Sequence, residues 1–164
     1  MPKKPLKIIG INPGTRHLGI AIFQDSELRD WGVKVFRGRW SKAKKEKIIK
    51  TLLSFIDQYE SSILAIKKLH PSRSSQNLRQ VVARIKEFSK RRNLKVYQYS
   101  IKELERFFHP EEKLNKKKLT KILTSEYPDL FHELNREKKN KNPYYIRMFE
   151  AVALASVCFH QLDR

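Results

Sequence analysis

Along this chain, short apolar runs bounded by turn residues come first and amphipathic helical periods follow. Residues 7–11, 18–24 and 31–36 are compact runs rich in Ile, Val and aromatic side chains. They are joined by Pro13-Gly14 and by a polar turn at Asp25-Ser26, and this pattern predicts three consecutive strands. Ser41 then stands where a helix N-cap belongs. Beyond it Ile48, Leu52, Phe55, Ile56 and Tyr59 recur at helical spacing on one face. Residues 63–66 predict a short buried strand, and Leu78, Val81, Val82, Ile85 and Phe88 a second amphipathic helix. Residues 96–99 predict a fifth strand, after which Ser100 caps a short helix containing Leu104 and Phe107. A Lys-rich helix carrying Leu119, Ile122 and Leu123 stops before Pro128. The last helix starts after Pro143 and runs through Met148, Val152, Ala155 and Phe159.

Three hairpin-linked strands followed by strands alternating with helices predict an α/β fold. Its sheet is mixed and five-stranded, three antiparallel strands followed by parallel right-handed crossovers, with helices on both faces. The 164 residues fit a single domain, 1–164, large enough to bury one good core. Only residues 135–143, polar, charged and without apolar periodicity, predict disorder.

Charge then narrows the class of partner. Thirty-six Lys and Arg against 17 Asp and Glu give a formal charge of +19. A field of that size attracts polyanions, and each phosphate neutralised releases counterions. The basic residues also cluster. Arg37, Arg39, Lys42, Lys44, Lys45, Lys47 and Lys50 form one group, and Arg84, Lys86, Lys90, Arg91 and Arg92 a second. Lys113, Lys116, Lys117, Lys118 and Lys121 form a third, and Arg136, Lys138, Lys139 and Lys141 a fourth. Each alone is the solvated face of a helix; four together point to nucleic acid. No basic helix carries the Trp/Phe-rich opposite face that would anchor it on an anionic membrane. No apolar run approaches a membrane span, and the basic N-terminus is followed by too short an apolar stretch for a signal peptide. The single cysteine, Cys158, excludes an intramolecular disulfide and a Cys-based zinc site, so a cytoplasmic protein is expected.

The candidate chemistry sits in three short motifs. They are Gly-Ile-Asn-Pro-Gly-Thr (10–15) with the following Gly-Ile-Ala, then Leu-Ala-Ile-Lys (64–67), then Glu-Ala-Val-Ala-Leu-Ala (150–155). In this order and spacing the chain resembles RuvC-type Holliday-junction resolvases of the ribonuclease H-like superfamily. The resemblance implies the fold already predicted, and DNA as the nucleic acid bound. It also implies a homodimer and a two-metal site for phosphodiester hydrolysis. Such a site needs three or four carboxylates holding two Mg²⁺ roughly 3.5–4 Å apart, because hard cations take oxygen ligands whose charge offsets dehydration.

Carried over residue by residue, the resemblance implies a degenerate centre. Asn12 stands where the family's first strand ends in Asp, Lys67 where the fourth strand ends in Glu, and Glu150 where the last helix carries Asp. Arg147 lies one turn earlier, where the family often has a further acid or a His. Lys116 matches a basic residue that resolvases keep near the active site, with Lys113, Lys117 and Lys118 nearly as well placed. Four positions that should bring three or four negative charges bring one, together with two positive ones. No metal is expected at such a centre, and Mg²⁺ belongs only to the alternative in which the chain is an active structure-selective endonuclease. That alternative would need other acids, Glu103 or Glu105. The expected function is therefore binding of branched DNA with hydrolysis lost; a protein- or RNA-binding adaptor is the third reading.

Remaining features divide between chemistry and packing. His17, His70, His109, His132 and His160 show no metal-ligand spacing, and only His17, opening a strand beside Asn12, falls near the motif. Asp25, Asp30, Asp57 and Glu60 read as residues of turns and helix ends. Phe107 reads as core on the Ile101/Leu104 face, while Phe108 is open to base stacking. Trp31 and Trp40 flank the third strand, and Trp40, among Arg37, Arg39 and Lys42, either stacks on a base or covers the sheet edge.

Overall fold

The computed structural model describes residues 4–109, 115–132 and 146–163. The polar stretch 135–143, Lys113 and the fourth basic group lie outside the described residues. An antiparallel meander, β1 (Lys7–Asn12), β2 (His17–Gln24) and β3 (Glu27–Val35), opens the fold. It is followed by α1 (Lys42–Tyr59), β4 (Ile63–Lys67), α2 (Gln76–Arg91), β5 (Lys95–Tyr99), α3 (Ile101–Phe108) and α4 (Lys116–Glu126). A 3₁₀ turn at Pro128–Leu130 precedes α5 (Ile146–Leu162). The strands form one sheet in the order β3-β2-β1-β4-β5, with β1–β4 and β4–β5 parallel. This is the mixed sheet that the sequence predicts.

Strand alternation sorts the sheet into two faces. Ile9 and Ile11 of β1, Leu64 and Ile66 of β4, and Leu18, Ile20 and Ile22 of β2 pack under α1 and α2. Ile8, Ala21, Phe23, Ile63 and Ala65 face the other way, against α3, α4 and α5. Helix α5 is buried from Met148 to Phe159 without a break. A helix apolar on all sides needs cover on all sides, and the sheet, α3 and α4 provide it.

Two glycines let α5 lie directly on the strands. A Cβ on Gly10 would collide with the Ala151 carbonyl, and one on Gly19 with the Arg147 carbonyl. The close approach brings the start of α5 down onto the end of β1.

Local signals hold at the helix starts. Ser41, Ser75 and Asn115 accept from the backbone N–H three residues on, at the N-caps of α1, α2 and α4. Ser100 and Glu103 form a capping box on α3.

Two expectations about β3 fail together. The strand begins at Glu27, before its apolar run, because an edge strand buries only one face and tolerates Arg29 and Asp30. Asp30 is therefore mid-strand and not a turn residue; it accepts a hydrogen bond from the Tyr59 hydroxyl. Trp31 is likewise central in β3 and packs on the α5-side core, and Trp40 packs on the α1/α2-side core. Among the described residues no helix is long and apolar enough to cross a membrane.

Candidate functional site

Pleat and register decide which side chains meet at one end of the sheet. Gly10 and Asn12 share the face of β1 that looks at α5, and Ala65 and Lys67 share the equivalent face of β4. Ile11 pairs with Ile66, so Asn12 and Lys67 follow as neighbours at the C-terminal ends of two parallel strands. Above them stands the N-terminal part of α5, with Glu150 one turn in from its start at Ile146.

The three side chains are in contact. Lys67 Nζ lies 2.8 Å from Glu150 Oε2, and Asn12 Nδ2 donates to the same oxygen at 3.1 Å. The amide also donates to the Arg147 carbonyl at 3.4 Å. Two acceptors on one side dictate that the NH₂ of Asn12 faces them. Asn12 and Glu150 are buried, whereas the Lys67 side chain is 30% exposed. Arg147 turns away from Glu150 and donates weakly to the Pro13 carbonyl at 3.5 Å; a side chain on Gly14 would occupy the space of its guanidinium.

These residues do not fit a divalent cation. The one carboxylate among the four positions already accepts from an ammonium and an amide on a single oxygen. The ammonium stands within contact distance of that carboxylate. A metal there would have to displace Lys67 and would gain one negative charge where a hard dication needs several. Among the described residues no three His, Cys, Asp or Glu side chains are grouped to hold an ion.

Two clefts flank this centre. One, of about 300 Å³, is lined by Lys67 and Glu150 with Ile101, Leu104, Glu105, Asn115, Lys116 and Leu119. Lys116 thus shares a cleft with the centre, while Lys117 and Lys118 are exposed beside it in the same first turn of α4. Glu105 is a cleft residue that spacing alone did not single out; Glu103 is committed to the α3 cap.

The other cleft, of about 400 Å³, is lined by Arg16, His17, Val35, Phe36, Arg37, Gly38 and Arg39. Burial, with the Arg147 and Arg16 guanidinium groups adding to it, pulls the His17 imidazole below its ordinary value. Lys42, exposed at the start of α1, lies at the same end of the sheet.

Other basic positions are placed differently. Arg91 and Arg92 end α2 at the opposite end of the sheet, paired with Glu87 and Asp57. Lys44 is buried, its Nζ donating to the Gly38 carbonyl at 2.9 Å. Phe107 is not core: it is 41% exposed and stacks on His160, while Phe108 is the half-buried partner packed on the α5-side core. Cys158 is fully buried in α5, and burial pushes its thiol up to about 11, so it is no nucleophile.

Comparison with known proteins bears on the fold. No protein-family model matches the chain, and no curated protein matches it by sequence. The structure is similar to Thermus thermophilus RuvC in complex with a Holliday junction substrate, with a TM-score of 0.72 and 14% identity over 96% of each chain. It is similar to the yeast mitochondrial Holliday junction resolvase Ydc2, with a TM-score of 0.65 and 11% identity over 96% of this chain and 80% of that one. A third similarity is to the Fowlpox virus resolvase in complex with substrate Holliday junction DNA. There the TM-score is 0.65 and identity 17%, over 96% of this chain and 99% of the other. The chain has the ribonuclease H-like fold in the form found in RuvC-type resolvases.

Proposed function

We propose that this chain binds nucleic acid, with branched DNA as the preferred form, on a RuvC-like scaffold whose hydrolytic centre has been lost. The observation that carries the loss is the Lys67–Glu150 pair at 2.8 Å. A protein-borne cation neutralises the single acid at the place where the fold family assembles metals, so the centre needs no Mg²⁺ to be electrostatically satisfied. Support for binding comes from the +19 charge and from the resolvases of like fold whose structures hold junction DNA. Lys67, Arg147, Lys116, Arg37, Arg39 and Lys42 share one end of the sheet, which makes that end the DNA face, with Lys117 and Lys118 extending it along α4. Arg91 and Arg92, paired with Glu87 and Asp57 at the opposite end of the sheet, would serve a separate contact. A homodimer is the assembly that the resemblance to resolvases implies for gripping a two-fold-symmetric junction.

One observation favours the second reading, an active endonuclease: Glu105 lines the same cleft as Glu150. Two carboxylates, one of them tied to an ammonium, fall short of the set that two-metal hydrolysis requires. A gel shift in EDTA tests the binding reading. Four-way junction bound more tightly than duplex or RNA, with affinity falling steeply as salt rises, is the expected result. Equal binding of all three would support an adaptor instead.

A further inference from the structure

The cleft beyond Arg147 has the build of an anion site. Its cations are Arg16 from the β1–β2 turn and Arg37 and Arg39 from the β3–α1 connection, with the imidazole of His17, from the start of β2, beside them. No carboxylate lines it, and none of the three arginines has an ion-pair partner among the described residues. Its floor is Val35, 44% exposed, and the buried ring of Phe36.

The loop carrying two of those arginines is held in place. Phe36 N–H donates to the Arg16 carbonyl at 2.8 Å, which fixes the β3–α1 connection against the β1–β2 turn. Gly38 between the arginines has φ +95°, a left-handed conformation that glycine adopts freely. Its carbonyl is anchored by Lys44 Nζ at 2.9 Å, and Lys44 is 8% exposed. A lysine rarely gives up that much solvent, and here its charge serves to fix the loop between two arginines.

We propose that this cleft is a preformed, metal-independent phosphodiester-binding site that holds the sugar-phosphate backbone of the nucleic acid reaching the Glu150 centre. A guanidinium fork matches phosphate oxygens two at a time, which suits arginines better than the lysines that dominate the rest of the surface. The apolar floor suits the carbon face of a sugar. Arg147, whose charge acts on His17 and whose guanidinium reaches Pro13, joins the cleft to the centre so that one strand can cross both. The path across the centre rests on the function proposed above; the phosphodiester site itself does not.

Titration of the full chain with a thymidine hexanucleotide in EDTA, followed by amide and arginine Nε resonances, tests the site directly. Saturable shifts at Arg16, Gly38 and Arg39 are expected, and the Gly38 amide shift should vanish in Arg16→Ala/Arg37→Ala/Arg39→Ala. Shifts that are absent there, or that rise without saturation across all basic faces, overturn it. On a four-way junction the triple variant should bind with a salt slope shallower by about 0.9 for each phosphate it no longer neutralises. A control removing three charges at the far end of the sheet, Lys86→Ala/Lys90→Ala/Lys95→Ala, should keep the slope. Equal slopes for the two variants would also overturn the site. Gly38→Ala keeps every charge and meets no neighbour, yet strains the loop, so it should weaken hexanucleotide binding; unchanged binding counts against a preformed site. If the wild-type chain ignores the junction but the cleft resonances still saturate, the branched-DNA reading fails and the phosphodiester site stands.

Discussion

Lys67 and Glu150, 83 residues apart in sequence, place an ammonium 2.8 Å from a carboxylate at the meeting of β4 and α5. The Glu150 side chain is 7% exposed, and its polar partners there are the lysine and the Asn12 amide. Removing one partner of a buried pair costs more than the pair contributes, because the remaining charge loses its compensation. Lys67→Met should therefore destabilise the protein by about 2 kcal/mol, below the fully buried range because Lys67 reaches solvent. Urea unfolding of Lys67→Met, Glu150→Gln and the double variant measures the coupling; the double variant should recover part of the loss.

Adding acids at the centre should create a cation site. Asn12→Asp with Lys67→Glu removes the ammonium and gives three carboxylates at the junction of β1, β4 and α5. Millimolar Mn²⁺ should raise the thermal midpoint of that variant, since a ligand that binds only the folded state stabilises it. The wild-type midpoint should not respond.

Close packing of α5 on the sheet depends on missing side chains. Gly10→Ala and Gly19→Ala each drive a Cβ into backbone carbonyls of α5, which cannot move aside as a side-chain tip does. Each should cost roughly 1–3 kcal/mol or more, as overpacking does. Because the helix must lift, the Lys67–Glu150 coupling should weaken in the same variants.

His17 gives the molecule a pH dependence of known sign. Its folded-state value is depressed, by burial first and then by Arg147 and Arg16. The unfolded chain therefore takes up a proton at higher pH than the folded one. This contribution to stability is present above the ordinary histidine value and is lost as pH falls through the folded value. Denaturant midpoints between pH 7.5 and 5.5 should fall, and His17→Asn should flatten part of that slope.

Much of this was legible from residue order. The alternation in β1 separates Ile9 and Ile11 from Gly10 and Asn12, so the polar residue had to face whatever covers the second side of the sheet. Lys67 follows from the same period in β4. What escaped was set by tertiary partners. Nothing in a run of lysines marks Lys44 as the buried one, because the carbonyl it meets is supplied by Gly38 in a left-handed turn. Phe107 misled because a helix of eight residues has too few turns for periodicity to separate its faces. Arg16 joined Arg37 and Arg39 only through the register that sets His17 opposite Val35.

The central claim, a resolvase-like scaffold that binds without cutting, is tested most directly on a labelled four-way junction. The chain is incubated with Mg²⁺ and with Mn²⁺ beside a gel shift in EDTA. A shifted junction that stays intact with either metal, for wild type and Glu150→Gln alike, is the predicted result. Metal-dependent cleavage by the wild type that disappears in Glu150→Gln would contradict it.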